Sequence, residues 1–182
     1  MRNSFIALTL VLVLAVAFPR EGRAQRLAVK TNAIGWMTVN PNAGLEIVTG
    51  ERTSLSFSVG GHPSGWIPGY EMLVIRPEFR YWFNGRPLTR EYVGVGAFAA
   101  SYAVKPFDPE INSIRGDGLA LGLTGGYVLS LGTRLCLDLG GGVGFMLYQQ
   151  KESTDEKGEG QRLVGDTIFP VKLDVTLIYI LK

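Results

Sequence analysis

His62 and Ser64 are the two side chains whose types and spacing come nearest to nucleophilic chemistry in this sequence. A histidine close to a serine can remove the hydroxyl proton and so activate the oxygen toward an acyl ester. The chain has no other histidine, and Glu71 is the only nearby acid that could orient the imidazole. Pro63 lies between the two residues and glycines flank them, a composition typical of a turn. We therefore expect an ordinary turn here, with acyl-ester hydrolysis as the alternative.

Two other stretches have compositions that could bind a ligand. Residues 140–144 read Gly-Gly-Gly-Val-Gly, but no helix or lysine follows them, so the positive helix end that would hold a phosphate is missing. Residues 151–159 concentrate acids that could attract a divalent cation, but these acids lack the spacing and the glycine of a calcium loop. We expect a solvated external loop there. We also expect no catalytic residue, no cofactor and no metal site, and thus no enzyme.

The elements that must position polar groups are β-strands, and residues 73–83 show this best. Apolar and polar residues alternate along this segment, which puts Arg76, Glu78 and Arg80 on one face. A core strand of a soluble protein could not bury three charges without strong pairing. The salt-bridged or water-lined inside of an outer-membrane barrel can hold them. The segment is therefore predicted to be a transmembrane strand with its charges inside.

The same alternation recurs along the chain. The predicted strands are residues 27–36, 42–48, 54–60, 73–83, 91–103, 117–129, 135–148 and 166–181. The longer connections, residues 61–70, 104–115 and 149–165, would lie on one side as external loops, as in outer-membrane barrels with short periplasmic turns. We predict an all-β fold, a closed antiparallel up-and-down transmembrane β-barrel of about eight strands.

Charged residues at the predicted inward positions are balanced in sign. They are Lys30, Arg76, Arg80 and Lys172 against Glu46, Glu78, Asp138 and Asp174. A barrel of about eight strands is only wide enough for its own side chains. We therefore predict that these residues form a buried ion-pair network that plugs the barrel, with an ion-conducting pore as the alternative.

Aromatic residues near the predicted strand ends indicate two interfacial girdles. The external girdle would contain Trp36, Tyr70, Tyr102, Tyr148 and Phe169, and the internal one Phe83, Tyr92 and Tyr179. Trp66 in the second outer loop is predicted to be an interfacial anchor, or alternatively part of a contact patch for a partner.

The backbone should be irregular at two places. Pro77 has no N–H and must fall at a bulge or at a gap in strand pairing, and Gly125-Gly126 indicates a kink or bulge. In the last strand, Val171 is predicted to face outward and Thr176 inward.

The ends of the sequence indicate export. Residues 1–24 combine a basic start, an apolar run of about fourteen residues and small residues before position 25, as in a cleaved secretory signal peptide. A membrane anchor is the alternative, although a spanning helix needs about 20 apolar residues. Residues 25–182 would form one outer-membrane domain. Residues 1–24 account for the whole formal charge of +2, so no basic cluster indicates nucleic-acid binding. Cys136 is the sole cysteine, so no internal disulfide can form.

Several motifs together resemble a Bacteroidota family, domain of unknown function 3575. They are Val29-Lys-Thr-Asn32, Pro41-Asn-Ala-Gly-Leu-Glu46, Arg76-Pro-Glu-Phe-Arg-Tyr-Trp-Phe83 and Ile178-Tyr-Ile-Leu-Lys182. The resemblance implies a small outer-membrane β-barrel. Members often look to be encoded beside fimbrillin-type pilus components, which implies a role in surface fibre assembly or adhesion. No catalytic residue is carried over from the family.

We therefore expect a non-enzymatic integral protein of the cell outer membrane. Membrane lipid would surround the barrel, and the external loops would contact a surface or pilus protein. One alternative is a lipid-modifying hydrolase, similar to lipid A deacylases, that uses His62 and Ser64. Another is a soluble periplasmic lipocalin-like barrel, which would need an apolar interior.

Overall fold

A computed structural model describes residues 26–105, 113–153 and 162–181 of the chain. The predicted signal peptide lies outside the described residues. The elements are β1 Leu27–Asn32, α1 Ala33–Met37, β2 Asn42–Val48, β3 Thr53–Ile67, β4 Tyr70–Trp82, β5 Arg90–Val104, β6 Ser113–Ser130, β7 Leu135–Ser153 and β8 Arg162–Ile180. Among these residues, no helix has the length and hydropathy that crossing a membrane would require.

The eight strands form one antiparallel sheet that closes on itself. Each strand pairs with the next along the chain, and β1 pairs with β8 to complete the ring. The prediction of an all-β, antiparallel, up-and-down arrangement of eight strands in a closed ring is confirmed. We call the rim at which β1 begins and β8 ends the terminal end, and the rim that carries the β3–β4, β5–β6 and β7–β8 connections the hairpin end.

The strands are strongly staggered around the ring. A path that starts at Ile180 of β8 and passes from each residue to its paired residue on the next strand returns to β8 at Phe169. The path therefore ends eleven residues before the point where it began. A stagger of this size tilts the strands by about 40° from the axis and leaves an interior that side chains can fill.

The first strand is shorter than its sequence predicts. β1 ends at Asn32, and Ala33–Met37 form α1, so the predicted strand to Trp36 is wrong. Asn32 is the helix N-cap, because its side-chain oxygen accepts a hydrogen bond of 2.8 Å from the Ile34 N–H. As a result β1 and β8 share only the five pairs from Ala28↔Ile180 to Asn32↔Thr176.

The hairpins are longer than predicted. β3 continues to Ile67 and β4 begins at Tyr70, so most of the predicted loop 61–70 is strand, with a shift of register between His62 and Ile67. β7 and β8 likewise pair as far as Lys151↔Arg162. Polar composition suggested loops here, but a strand ladder joins backbone groups and does not require apolar side chains.

The irregularities of the backbone differ in part from the prediction. Pairing is continuous through Gly125 and Gly126 on both sides, so the predicted bulge is wrong. The register shifts instead between β7 and β8. Gly142 pairs with Lys172 and Gly144 with Phe169, so β8 has two residues between these pairs where β7 has one. This bulge turns Val171 inward, where it is 4% exposed, so its predicted outward position is also wrong.

Pro77 lies at a gap in pairing with β5. The β4–β5 pairs run to Ile75↔Ala99 and resume at Glu78↔Gly96 with unchanged register. On its other side Pro77 stays paired with Phe57 of β3. The gap accommodates the missing N–H of proline within a closed sheet.

The outer face of the ring is apolar between two charged rims. Large side chains such as Leu123, Phe145 and Ile168 are about 70% exposed. Among the residues whose side chains the structure describes, every charged side chain lies at one of the rims or belongs to the eight predicted inner residues. The uncharged stretch of β6 from Leu119 to Leu129 measures about 34 Å along the strand, or about 26 Å along the axis at this tilt.

Candidate functional site

The terminal end of the ring is closed by an apolar floor. Leu88 in the β4–β5 turn is fully buried with a positive φ of 67°, a conformation that is uncommon for a residue with a side chain. Asn84 stabilises this turn, since its Nδ2 donates to Thr89 O at 2.8 Å and its Oδ1 accepts from the Arg86 N–H at 3.0 Å. The floor cluster consists of Ala28, Trp82, Leu88, Tyr92, Val128, Cys136 and Ile178.

Arg80 is the centre of a charged layer above this floor. Its guanidinium is fully buried and lies 3.0 Å from Glu46, 2.8 Å from Glu78 and 3.0 Å from Asp138. It also stacks 4.5 Å from the centroid of the Tyr92 ring, which adds a cation–π contact. The Nε donates an aligned hydrogen bond to Glu78, whereas the Nη atoms make charge contacts without aligned hydrogen bonds.

Lys172 connects the second half of the layer. Its Nζ donates to both oxygens of Glu78, at 2.8 and 3.0 Å, and to the Tyr92 hydroxyl at 2.7 Å. Tyr92 in turn donates to Asp138 at 2.8 Å, and Thr124 donates to Glu78 at 2.7 Å. Tyr92 is 2% exposed, so its predicted place in an interfacial girdle is wrong. It occupies an inward position of β5 opposite two charged groups, which favours a buried polar aromatic there.

Glu46 is held from the other side of the ring. Lys30 contacts it at 3.3 Å, and the Ser54 hydroxyl donates to it at 2.7 Å. The Trp82 indole N–H donates to that hydroxyl at 2.9 Å. This chain of donors satisfies a carboxylate that has no exposed surface.

The last two of the eight predicted residues lie toward the hairpin end. Arg76 contacts Asp174 at 3.4 Å, and Asn32 donates to Asp174 at 2.7 Å. The Arg76 side chain is 25% exposed, in contrast to the buried Arg80. The structure thus brings all eight predicted residues together. A cavity of about 20 Å³ remains beside Pro77 and Lys172, room for about one water molecule.

A larger cavity, which we call the cup, lies above this charged layer at the hairpin end. Its volume is about 1280 Å³, and its walls include Asn42, His62, Met72, Tyr102, Gly116 and Gln150. The Tyr102 hydroxyl donates to Gln150 at 3.0 Å across the wall. Among the described residues, the cup opens toward the hairpin end, and the charged layer and the floor separate it from the terminal end.

His62 is buried in the wall of the cup with only 1% of its surface exposed. Its ring packs edge-on against Trp66 and Tyr70, with centroid distances of 5.8 and 5.2 Å. In the described part of the chain, neither ring nitrogen has a hydrogen-bond partner. The contacts of His62 are thus aromatic, without a carboxylate to orient the ring, and the side chain of Ser64 lies outside the described residues.

Of the other two sequence motifs, only the glycine-rich one lies wholly within the described residues. Residues 140–144 are part of β7, and a Cβ at Gly144 would lie 2.2 Å from the Leu121 carbonyl oxygen, so this glycine permits close approach of two strands. The acidic stretch 151–159 lies outside the described residues from position 154 onward. Within the described residues, no three His, Cys, Asp or Glu side chains are placed to hold a metal ion.

The fold and the site define a class: a closed, eight-stranded antiparallel ring with an ionic interior, an apolar outside and a cup at one end. The model of a family described as protein of unknown function (DUF3575) matches residues 8–181, and the chain belongs to this family. No curated protein and no solved structure matches the chain.

Proposed function

We propose that this protein is a non-enzymatic integral β-barrel of the outer membrane. The apolar belt between the two charged rims is the observation that carries the proposal. Its height of about 26 Å corresponds to the apolar band of about 25 Å that outer-membrane barrels present to lipid. Without lipid, an apolar surface that surrounds the whole molecule would be exposed to water, which monomeric soluble proteins avoid.

The connections support one orientation in the membrane. Short turns such as residues 49–52, the start of β1 and the end of β8 lie at the terminal end, whereas the long hairpins lie at the opposite rim. Outer-membrane barrels keep short turns on the periplasmic side and long loops outside. We therefore assign the hairpin end, and with it the cup, to the cell surface.

The interior supports a surface-binding role over conduction. The charged layer and the floor occupy the cross-section below the cup, so a solute could enter and leave only through the hairpin end. We propose that the cup and the surrounding hairpins bind a surface partner. The family resemblance makes a component of surface fibres or an adhesin the partner class to examine.

Two alternatives receive less support. A soluble lipocalin-like barrel would place apolar side chains inside and polar ones outside, whereas Arg80, Glu46 and Asp138 are buried inside here. A lipid-modifying hydrolase would need a base in contact with its nucleophile, and the described contacts of His62 are two aromatic rings.

Envelope fractionation with gel mobility tests the proposal. We expect the protein in the outer-membrane fraction, and we expect unboiled samples to migrate differently from boiled ones because the closed ring resists detergent. Recovery in the soluble fraction would refute the membrane assignment. For the enzyme alternative, Ser64→Ala should leave the lipid A mass profile unchanged, and an altered profile would favour the hydrolase.

A further inference from the structure

Part of β8 has a sheet neighbour on one side only. β7 pairs with β8 along its length, but β1 ends at Asn32, opposite Thr176. The helix α1 also contacts β8, and below the bulge the Asn32 Nδ2 donates to the Leu173 carbonyl at 3.1 Å. Above the bulge, residues 162–169 have no pairing on the β1 side within the described chain. We call this segment the open edge.

Backbone hydrogen bonds fix which residues of β8 face that side. The Leu181 N–H donates to Leu27 O on the β1 side, and the Ile180 N–H donates to Arg134 O on the β7 side. Because backbone groups of successive strand residues point in opposite directions, the odd-numbered residues down to Leu173 face β1. The bond from Asn32 to the Leu173 carbonyl agrees with this assignment.

The extra residue of the bulge shifts the alternation by one. Above the bulge, the even-numbered residues therefore face the open edge. Val164, Asp166 and Ile168 each present a backbone N–H and C=O there. Pro170 also faces this side, and its missing N–H falls where no neighbouring strand would use it, as expected for proline in an edge strand.

The open edge extends beyond the apolar belt. Ile168 pairs with Phe145 near the margin of the belt, whereas Val164 pairs with Gln149 on the polar rim. Unpaired backbone groups are very costly in hydrocarbon, but those around Val164, beside the polar Gln149, lie beyond the belt at the hairpin end. An exposed edge of this kind is a template for another strand.

We propose that the open edge binds an extended segment of a second protein by strand addition. This inference deepens the proposed function, because it names the chemistry of the surface partner. The exclusion of a second copy as that partner rests on the proposed membrane placement. Two copies in one membrane would be related by rotation about its normal. Strands tilted by about 40° would then cross at about 80°, so two open edges could not pair. A free extended segment has no such restriction.

The surroundings of the open edge favour a strand of alternating character. One face of an added strand would be directed toward the cup and the other outward, because strand side chains alternate. Trp36 and Met37 of α1, 57% and 83% exposed, provide apolar surface nearby. Backbone hydrogen bonds would supply affinity, and alternate side chains would supply specificity.

Peptide binding to the purified full-length barrel in detergent tests the proposal. The probe is a fluorescein-labelled ten-residue peptide of alternating threonine and valine, and the matched probe carries an N-methyl group on every backbone amide. We expect the N-methylated peptide to bind at least about tenfold more weakly, because it lacks donors for the edge carbonyls. The double variant Val164→Pro/Ile168→Pro should lose a similar factor, since each proline removes an N–H that faces the open edge.

Asp166→Asn is the control, because it changes an outward side chain and keeps the edge N–H, and its affinity should equal that of the wild type. All variants should retain the gel shift of the folded barrel. A folded barrel that binds both peptides equally, or binds neither at about 1 mM, would overturn the inference and leave the membrane assignment intact. Amides of Val164 and Ile168 that exchange as slowly as that of Thr167 would also overturn it, since another part of the chain would then cover the edge. Dimerisation abolished by the double proline variant would overturn it in favour of a second copy.

Discussion

Replacing Arg80 with leucine should destabilise the barrel more than any other single loss of charge in its interior. The guanidinium lies within 3.0 Å of Glu46, Glu78 and Asp138. Without it, three buried carboxylates would share the two remaining buried cations. Removing one partner of a buried ion pair costs about 3–5 kcal/mol. Because one cation here serves three anions, we expect a loss of at least about 4 kcal/mol in the free energy of unfolding.

Arg76→Leu is the matched control. Arg76 makes one contact, at 3.4 Å, and its side chain is 25% exposed. Solvent screens such a pair, so we expect its loss to cost about 1 kcal/mol or less. A second variant, Arg80→Leu/Asp138→Asn, removes one of the orphaned charges and should recover part of the loss, because residues in one network are not additive.

Urea unfolding in lipid vesicles, followed by tryptophan fluorescence and by gel shift, measures these differences. The free energy follows from the transition midpoint and the slope. Equal midpoints for Arg80→Leu and Arg76→Leu would refute the reasoning, and so would an Arg80→Leu variant within about 1 kcal/mol of the wild type. Either result would mean that water or rearranged lysines compensate the carboxylates.

Three further predictions test the outer face, the floor and the strand packing. Leu123→Arg in the apolar belt should lower the free energy of unfolding by about 2–4 kcal/mol and reduce the yield of assembled protein in the membrane. Leu131→Arg at the rim should lower it by only about 0–1 kcal/mol. Equal yields of the two variants would contradict the lipid-facing assignment. Leu88→Ala should cost about 2–5 kcal/mol in the same urea assay because it leaves a cavity in the floor, and an unchanged midpoint would show that the turn does not seal the ring. Gly144→Ala should lower the midpoint, since the added Cβ would lie 2.2 Å from a backbone oxygen, whereas Gly141→Ala has open space and should be neutral; the reverse order would contradict the close approach of β6 and β7.

The two-residue alternation of the sequence was sufficient to predict the ring of eight strands. The same alternation put Arg80 and Asp138 on the inner face, where the structure has them. Alternation follows from the local geometry of a strand. A charged side chain on the inner face of the strand is stable there only when it is paired with an opposite charge.

Features that depend on distant neighbours could not be predicted this way. Tyr92 resembled a girdle residue because it lies near a strand end, and its role became visible only when Asp138 and Lys172 were found opposite its hydroxyl. Leu88 was an isolated apolar residue in a turn until the ring brought the floor cluster around it. The bulge that turns Val171 inward is a mismatch between two strands, and neither strand reveals it alone.

The ring is completed by its first and last strands, which share only five pairs. Almost the whole described chain lies between them, so this junction carries the largest loop-closure entropy of any strand pairing in the molecule. The seven other ladders between neighbouring strands can form while the chain is still being synthesised, but the ring cannot close until the final residues arrive. In the proposed assembly into a membrane, β1 and β8 would have to be kept from premature partners until that moment.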